Sequence, residues 1–284
     1  IIYFFPGATA ATATAYSHYE LLWNWLTGAT PTVVIEPRPP DSTSTPVFDS
    51  ICNAKMPTAV APTIATVNSA SYAANAAIAP ESIVATFGAS LAPRTVVAET
   101  LPLPTTLGGV QVNVVDARGV SRLAPLYFVS PGQLLYLVPQ GTAEGIAQIN
   151  IGAQRHSVTI AATAPGIYTA AQNGRGVAAA TYVRVTPQNV RTEGNLADGP
   201  IPVNPNDQLY LILYGTGLRG GPATATVGGA AVPVAGPVAQ GQYAGLDQIN
   251  LGPLPPRVGY GLKEIVIRQG DSLANTVTVT LRAP

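Results

Sequence analysis

The feature that most constrains the fold is a long series of short apolar stretches, separated by Gly and Pro turns, that runs from residue 65 to the C-terminus. In the last of them, Val277, Val279 and Leu281 alternate with threonines. Alternation with period two indicates a strand with one buried and one solvated face. Many short strands with turn residues between them are typical of β-sandwiches and barrels.

The composition supports an ordered all-β chain. Gly (28) and Pro (27) are frequent among the 284 residues, as they also are in disordered chains. However, 47% of the residues are apolar. Disordered chains lack that apolar content because they cannot offset the entropy lost on folding. We therefore predict tight turns between short buried strands.

The predicted strands fall into two series. The first comprises residues 82–88, 109–116, 124–130, 134–139, 146–152 and 156–161. The second comprises residues 207–215, 224–229, 230–236, 247–252, 263–270 and 275–281.

The two series match in order, which indicates a degenerate internal duplication. The segment beginning at Phe87 corresponds to that at Tyr214, Gln133 to Gln248, and residues 156–159 to 275–278. The predicted fold class is therefore all-β, with two tandem immunoglobulin-like β-sandwich domains and an N-terminal extended arm. We assign residues 1–64 to the arm and linker, 65–165 to the first domain and 166–284 to the second.

Several sequence segments, taken together and in order, resemble a family of uncharacterised C-terminal domains that is expanded in Solibacter and other Acidobacteria. They are TVNSASY (66–72), LPLPTTLGGVQV (101–112), APLYFVSPGQLLYLVP (124–139), APGIYT (164–169), GRGVAAA (174–180), LYGTGLRGG (213–221) and GLDQINL (245–251). The resemblance implies paired Ig-like modules at the end of secreted bacterial proteins. It implies no catalytic residues. Where the family has Gln-Ile-Asn after the Ser-Pro-Gly turn, this chain has Gln133-Leu134-Leu135.

The arm is unusually apolar and aromatic for a chain terminus. The residues that we predict to take part in assembly are Tyr3, Phe4, Phe5, Tyr16, Tyr19, Trp23, Trp25, Val33, Val34 and Ile35. The stretch 16–26 fits helical and strand spacing equally well. Burying one aromatic side chain stabilises by about 2 to 3 kcal/mol, so these residues need a cover. The arm folds onto its own domains, inserts as a strand into a neighbouring subunit, or contacts a membrane.

Two further features of the arm have open interpretations. The Pro/Ser/Thr segment 35–46 is expected to be extended and exposed. Its Ser42, Thr43, Ser44 and Thr45 are candidate acceptors of O-linked sugars, or part of an unmodified spacer. The single cysteine, Cys52, is a packed apolar residue, a free thiol or an intermolecular bridge.

The sequence predicts neither an enzyme nor a cofactor. One Cys and two His cannot form a structural zinc site. No Gly-x-Ser-x-Gly elbow occurs, and His156 is interpreted as a strand-edge residue. The acids show no calcium-loop spacing, although a calcium site at the domain junction stays open. Lys plus Arg (14) equals Asp plus Glu (14), which disfavours nucleic-acid binding. No stretch is apolar enough for a transmembrane segment.

These observations predict a structural subunit of an extracellular bacterial filament or surface assembly. It would be secreted, and it would polymerise with copies of itself by N-terminal strand insertion. The alternative is a secreted carbohydrate-binding or adhesive Ig-like module. In that case exposed aromatic residues such as Tyr243 or Tyr260 would stack on glycans.

Overall fold

A computed structural model describes residues 64–284, which form one compact unit. Strands dominate this part of the chain, and its helical residues form two single 3-10 turns, Leu196–Asp198 and Pro256–Val258. Two β-sandwiches follow one another along the chain. The predicted all-β, Ig-like fold class is confirmed.

The first sandwich is made of two antiparallel sheets. Its strands are β1 (Ala65–Asn68), β2 (Ile83–Phe87), β3 (Val96–Val97), β4 (Val112–Val115), β5 (Ser121–Leu123), β6 (Leu126–Val129), β7 (Gln133–Leu137), β8 (Gly145–Ile151) and β9 (Gln154–Ile160). One sheet has the order β1-β2-β7-β6-β3 and the other β5-β4-β8-β9.

A single apolar cluster holds these two sheets together. Leu134 and the fully buried Tyr136 come from the first sheet, while Val112, Val114 and Ile149 come from the second. These strands supply every second residue to the cluster, because successive side chains of a strand point to opposite faces of the sheet.

The second sandwich repeats this plan with longer strands. They are β10 (Gly166–Ile167), β11 (Ala180–Val185), β12 (Arg191–Asn195), β13 (Ile201–Pro202), β14 (Gln208–Thr216), β15 (Thr224–Val227), β16 (Ala230–Val232), β17 (Val234–Ala239), β18 (Asp247–Leu251), β19 (Gly261–Gln269), β20 (Ser272–Leu273) and β21 (Val277–Arg282). One sheet has the order β12-β11-β14-β18-β17, with β10 also paired to β14. The other has the order β13-β21-β19-β15-β16, with β20 paired to β19. Its core joins Leu211 and Ile249 of the first sheet to Ile265, Val277 and Val279 of the second.

The strand pairing repeats at the residues that the sequence comparison aligned. Phe87 of β2 lies opposite Gln133 of β7, and Tyr214 of β14 lies opposite Gln248 of β18. In both sandwiches the last long strand, β9 or β21, pairs antiparallel with the long strand before it. The internal duplication therefore extends from sequence to register.

Two strand predictions need correction. Residues 230–236 do not form one strand, because Pro233, which has no N–H to donate, separates β16 from β17. The two pieces then pair in different sheets, β16 with β15 and β17 with β18. The β11–β12 hairpin was not predicted, since the RTEGN sequence of β12 is too polar to show an apolar alternation.

Within residues 64–284, no helix is long and apolar enough to cross a membrane.

Candidate functional site

The structure places none of the predicted assembly residues, because all of them lie outside residues 64–284. This holds for Tyr3, Phe4, Phe5, Tyr16, Tyr19, Trp23, Trp25, Val33, Val34 and Ile35. It holds equally for the candidate glycosylation residues Ser42, Thr43, Ser44 and Thr45, and for Cys52. These remain predictions, and the described residues supply two other features: a polar junction between the sandwiches and an open sheet edge.

Asn68, at the end of β1, joins the two sandwiches through both ends of its amide. Its Oδ1 accepts hydrogen bonds from the N–H groups of Ala70 (2.8 Å) and Ser71 (3.2 Å), which shapes the turn after β1. Its Nδ2 donates to the carbonyls of Ala164 (2.8 Å) and Thr216 (3.3 Å). Asn68 is buried, so these bonds are made away from water and hold the β1 turn against the second sandwich.

Thr216, at the end of β14, makes a second link across the junction. Its buried Oγ1 accepts the N–H of Ile83 in the first sandwich (2.8 Å) and donates to the carbonyl of Gly245 (2.7 Å). The Ile83 N–H begins β2 and has this hydroxyl as its partner. One hydroxyl thus ties a strand of the first sandwich to two segments of the second.

An ion pair closes one side of the junction. The Arg219 Nε lies 2.6 Å from Oδ1 of Asp247, whose Oδ2 accepts the Leu218 N–H at 2.8 Å. Arg219 also reaches the first sandwich, donating to the Glu81 carbonyl at 3.1 Å and to its carboxylate at 3.3 Å. Burial raises the pKa of Asp247, and the Arg219 guanidinium opposes that rise.

Tyrosine hydroxyls complete the contact. The Tyr168 hydroxyl lies 2.8 Å from Ser69 Oγ, and the Tyr127 hydroxyl donates to the Ala244 carbonyl at 2.6 Å. Burial raises the pKa of both tyrosines, so their hydroxyls stay protonated at neutral pH. Buried hydrogen bonds and a partly exposed ion pair thus link the two sandwiches directly.

The two tyrosines proposed for sugar stacking differ in exposure. Tyr243 is 8% exposed and lies close to Tyr127, so it cannot present a ring to a glycan. The prediction that Tyr243 stacks on sugars is wrong, because its ring is buried near Tyr127 at the junction. Tyr260 is 47% exposed, and its hydroxyl donates to the Val203 carbonyl at 3.2 Å. It borders a cavity of about 150 Å³ that is also lined by Pro255 and Pro256.

His156 lies in edge strand β9, as expected, but its ring points into the sandwich. Its Nε2 is 2.6 Å from Thr66 Oγ1, which is 2.6 Å from Thr86 Oγ1. The Thr86 hydroxyl is in turn 3.0 Å from the Tyr136 hydroxyl. The His156 Nδ1 is buried without a partner among the described residues. No carboxylate of this part of the chain orients the ring, so this chain of hydroxyls is not a nucleophile–base arrangement.

The acidic residues of the second sandwich have structural partners instead of a metal-ligand arrangement. Over residues 64–284, no group of three or more His, Cys, Asp and Glu side chains is close enough to hold a metal ion. Asp198 and Asp207 cap local turns at Asn195 and Asn204. Asp247 is committed to Arg219 and Leu218 at the junction.

Sequence reasoning missed the junction, although a signal was present. Five of the sequence segments that carry the family resemblance contribute residues to the junction. They are 66–72 (Asn68 and Ser69), 164–169 (Tyr168), 174–180, 213–221 (Thr216 and Arg219) and 245–251 (Gly245 and Asp247). These segments are rich in Gly, Asn, Ser and Thr but far apart in sequence. Their shared location identifies them as parts of one interface.

Comparison with known proteins adds little beyond the fold. No protein-family model and no curated protein matches the sequence. Among solved structures, the I9–I11 tandem of titin matches over 78% of this chain and 66% of its own, at 9% identity and a TM-score of 0.22. The chain thus spans just under two thirds of that titin tandem. Domains 5–6 of the S-layer protein SbsC match over 78% of this chain and 99% of their own, at 15% identity and a TM-score of 0.19. Since both TM-scores are below 0.5, neither structure bears on what this chain does.

The described part of the chain is therefore a tandem of Ig-like β-sandwiches with a hydrogen-bonded junction.

Proposed function

We propose that this chain is a structural subunit of an extracellular bacterial filament or surface assembly. In it, the N-terminal arm of one copy adds as a strand to a sheet of the next copy. The family resemblance supports secretion, and the aromatic arm supplies the apolar surface that needs a cover.

The observation that carries the proposal is the junction. A constant angle between two domains suits a subunit that sets the repeat distance of an ordered assembly. Here Asn68, Thr216 and Arg219 each reach across from one sandwich to the other through hydrogen bonds. Two domains joined only by a linker would move relative to each other by default.

The experiment compares the full chain with a chain that lacks residues 1–36, by negative-stain electron microscopy and sedimentation. The full chain should form filaments or ordered sheets, and the truncated chain should stay monomeric. Polymers of the same form from the truncated chain would exclude strand insertion by the arm. Absence of polymer from the full chain at every concentration would exclude the structural-subunit proposal itself.

A matched pair of variants refines this experiment. Replacing Val33 and Ile35 by Asp keeps the length of the arm but removes its apolar side chains, so polymerisation should be lost. Replacing Ser42 and Thr43 by Ala in the spacer should leave polymerisation unchanged.

A second candidate function rests on Tyr260. Its half-exposed ring lies beside the cavity formed by Pro255, Pro256 and Val203, and aromatic rings that border a concave site suit stacking on sugars. A glycan array that is positive for the native chain and negative for Tyr260→Ala would support a carbohydrate-binding module. An array without signal for the native chain would remove that candidate.

A further inference from the structure

We infer that β9 of the first sandwich is the edge that accepts the arm, and that residues 32–36 of a second copy pair with it antiparallel. This inference rests on the proposed function and names the partner surface that strand insertion requires.

The edge strands of the sheets differ in how open they are to an added strand. Among the edge strands of residues 64–284, β9 is the longest at seven residues, and it pairs with β8 without interruption. The next longest, β17, has six residues but contains Pro237 and a shift in register. Strand β12 has five residues and carries the Arg191–Glu193 ion pair. Prolines, bulges and charges are the features that block strand addition, and β9 has only one of them, the charge of Arg155.

In the second sandwich, the edge that is equivalent to the open edge of β9 is covered by other strands. Strand β21 corresponds to β9, and its outer edge pairs in parallel with β13 at Ile201 and with Val177 through an isolated bridge. In the first sandwich, β9 has only the isolated parallel bridge between Ile78 and Ile160. The rest of its outer edge has no strand beside it within residues 64–284.

The open positions on β9 follow from the bonds at Ile78. The Ile78 N–H donates to the Thr159 carbonyl at 2.9 Å, and the Ala161 N–H donates to the Ile78 carbonyl at 3.0 Å. Backbone groups alternate in direction along an antiparallel strand. The N–H and C=O groups of Arg155 and Ser157 therefore also point away from β8. They have no backbone partner among the described residues, so they form a template for one added strand.

The inner face beside this edge is also incompletely covered. Val158 packs against the apolar core but is only partly buried, and His156 next to it is likewise half-buried. An added strand with apolar residues at alternate positions would cover both side chains. Its remaining residues would lie beside the exposed Arg155 and Ser157 on the outer face.

The segment TVVIE (32–36) fits these requirements in length and pattern. It lies between Pro31 and Pro37, which limit a strand to five residues. In an antiparallel arrangement with Glu36 opposite Arg155, Ile35 lies next to His156 and Val33 next to Val158. The two apolar residues then cover the inner face. The glutamate lies next to an arginine that has no ion pair among the described residues.

We assign the strand that pairs with β9 to a second copy, because a stiff spacer comes directly after residues 32–36, the donor segment. Residues 37–46, the part of the Pro/Ser/Thr segment that follows Glu36, are expected to be extended. An extended spacer would favour pairing with another molecule over pairing with the chain's own sandwiches. Residues 37–63 together can span at most about 90 to 100 Å when fully extended, which is enough to reach a neighbouring molecule.

The first experiment blocks the edge with proline. Ser157→Pro removes an N–H that faces away from β8, so the fold should survive while strand addition is lost. Glu193→Pro is the matched control, because the N–H of Glu193 faces outward on edge strand β12 of the second sandwich. We expect at least a tenfold rise in the critical concentration for polymerisation with Ser157→Pro, no change with Glu193→Pro, and an unchanged circular dichroism spectrum for both.

The outcomes separate the two proposals. If the native chain and Ser157→Pro polymerise equally, β9 is not the acceptor edge, although strand insertion elsewhere remains supported. If the native chain does not polymerise, the proposed function fails, and the acceptor edge fails with it.

A cross-linking experiment covers the case in which Ser157→Pro does not fold. In a Cys52→Ser background, chains that carry Val34→Cys are mixed with chains that carry Ser157→Cys. Hydrogen-bonded antiparallel pairs have Cα atoms about 5.5 Å apart, within the range for a disulfide. A covalent two-chain species on a non-reducing gel is the expected result, and Ser121→Cys on edge strand β5 should give none.

The same assay detects pairing within one chain. If one chain that carries both Val34→Cys and Ser157→Cys closes an internal disulfide while the mixed chains do not cross-link, the arm covers its own sandwich. That result would overturn the inference of a second copy.

Discussion

The Nε2 atom of His156 lies 2.6 Å from the Oγ1 atom of Thr66, and the two residues belong to opposite sheets of the first sandwich. Beyond Thr66 the hydrogen bonds continue through Thr86 to Tyr136. Burial lowers the pKa of His156 from 6.5 and raises the pKa of Tyr136, so both groups are neutral at pH 7 in the folded protein. One titratable ring thus lies in a contact between the two sheets.

This arrangement predicts that the protein loses stability in mild acid. Because the pKa of His156 is lower in the folded than in the unfolded state, the unfolded state binds more protons below about pH 6.5. The free energy of unfolding should therefore fall as the pH drops below about 6.5, by up to about 1.4 kcal/mol per pH unit for a single proton. Urea titrations between pH 8 and 5 measure the slope.

The control is His156→Gln, which keeps a hydrogen-bonding amide near Thr66 but does not titrate. The slope between pH 7 and 5 should be smaller in this variant than in the native chain. Equal slopes in the two proteins would assign the acid sensitivity to other groups.

A second prediction concerns Asn68. Its replacement by Ala removes the amide bonds to Thr216 of the second sandwich and to Ala164 beside the domain boundary. It also leaves the Ala70 and Ser71 N–H groups without their acceptor. Buried groups that lose their partners cost about 1 to 3 kcal/mol, so we expect a loss of about 2 to 4 kcal/mol in unfolding free energy. Gln111→Ala removes only an exposed bond to Thr106 and should change stability by less than about 0.5 kcal/mol. A loss with Asn68→Ala as small as that of the control would show that the junction is not held by this amide.

The fold could be predicted from the sequence because its determinants are local. Alternation in residues 275–281 and the apolar run at 209–214 indicate strands from their own pattern, and both appear as β21 and β14. The repeat was visible because both copies keep an aromatic residue and a glutamine that lie opposite each other, Phe87 with Gln133 and Tyr214 with Gln248.

The junction could not be predicted because its determinants are distant in the chain. Asn68 and Thr216 are 148 residues apart, and each is a small polar residue of a kind that turns also use. Tyr243 was expected at the surface because no local pattern distinguishes an exposed tyrosine from one buried between domains. Strand β12 was missed for a related reason, since its pairing with β11, rather than its own apolar content, makes it a strand.

Removing Arg219 tests the buried ion pair. Asp247 is 1% exposed, whereas the Arg219 side chain is 25% exposed. Arg219→Met leaves the carboxylate buried without its counter-charge, which should cost about 2 to 3 kcal/mol at pH 7. Since burial raises the pKa of Asp247, the cost should become smaller as the pH falls, because protonation relieves the unpaired charge. In the background Asp247→Asn, the same arginine substitution should cost clearly less, because only the partly exposed bonds to Glu81 remain to be lost. An equal cost in both backgrounds would indicate that Arg219 acts through Glu81 instead.

The close packing at the junction can be tested with two glycines that both have positive φ. Gly245 has φ 78° and Gly241 has φ 93°, so alanine is strained at both positions, by about 1 kcal/mol. They differ in surroundings. A Cβ on Gly245 would overlap Leu137 and lie 2.8 Å from Cγ1 of Ile83 in the first sandwich, whereas a Cβ on Gly241 would meet no atom within 4 Å.

Gly241→Ala should therefore lose about 1 kcal/mol in unfolding free energy, from backbone strain alone. Gly245→Ala should lose about 1 to 3 kcal/mol more, because the methyl group must push the two sandwiches apart. Urea unfolding measures both losses. Limited proteolysis of the folded protein should then cut Gly245→Ala, but not Gly241→Ala, faster than the native chain in the junction segments 68–72 and 164–176. If the two variants are equally stable and equally resistant, the sandwiches have room to move apart at Leu137, and the junction is not the fixed joint that a filament subunit needs.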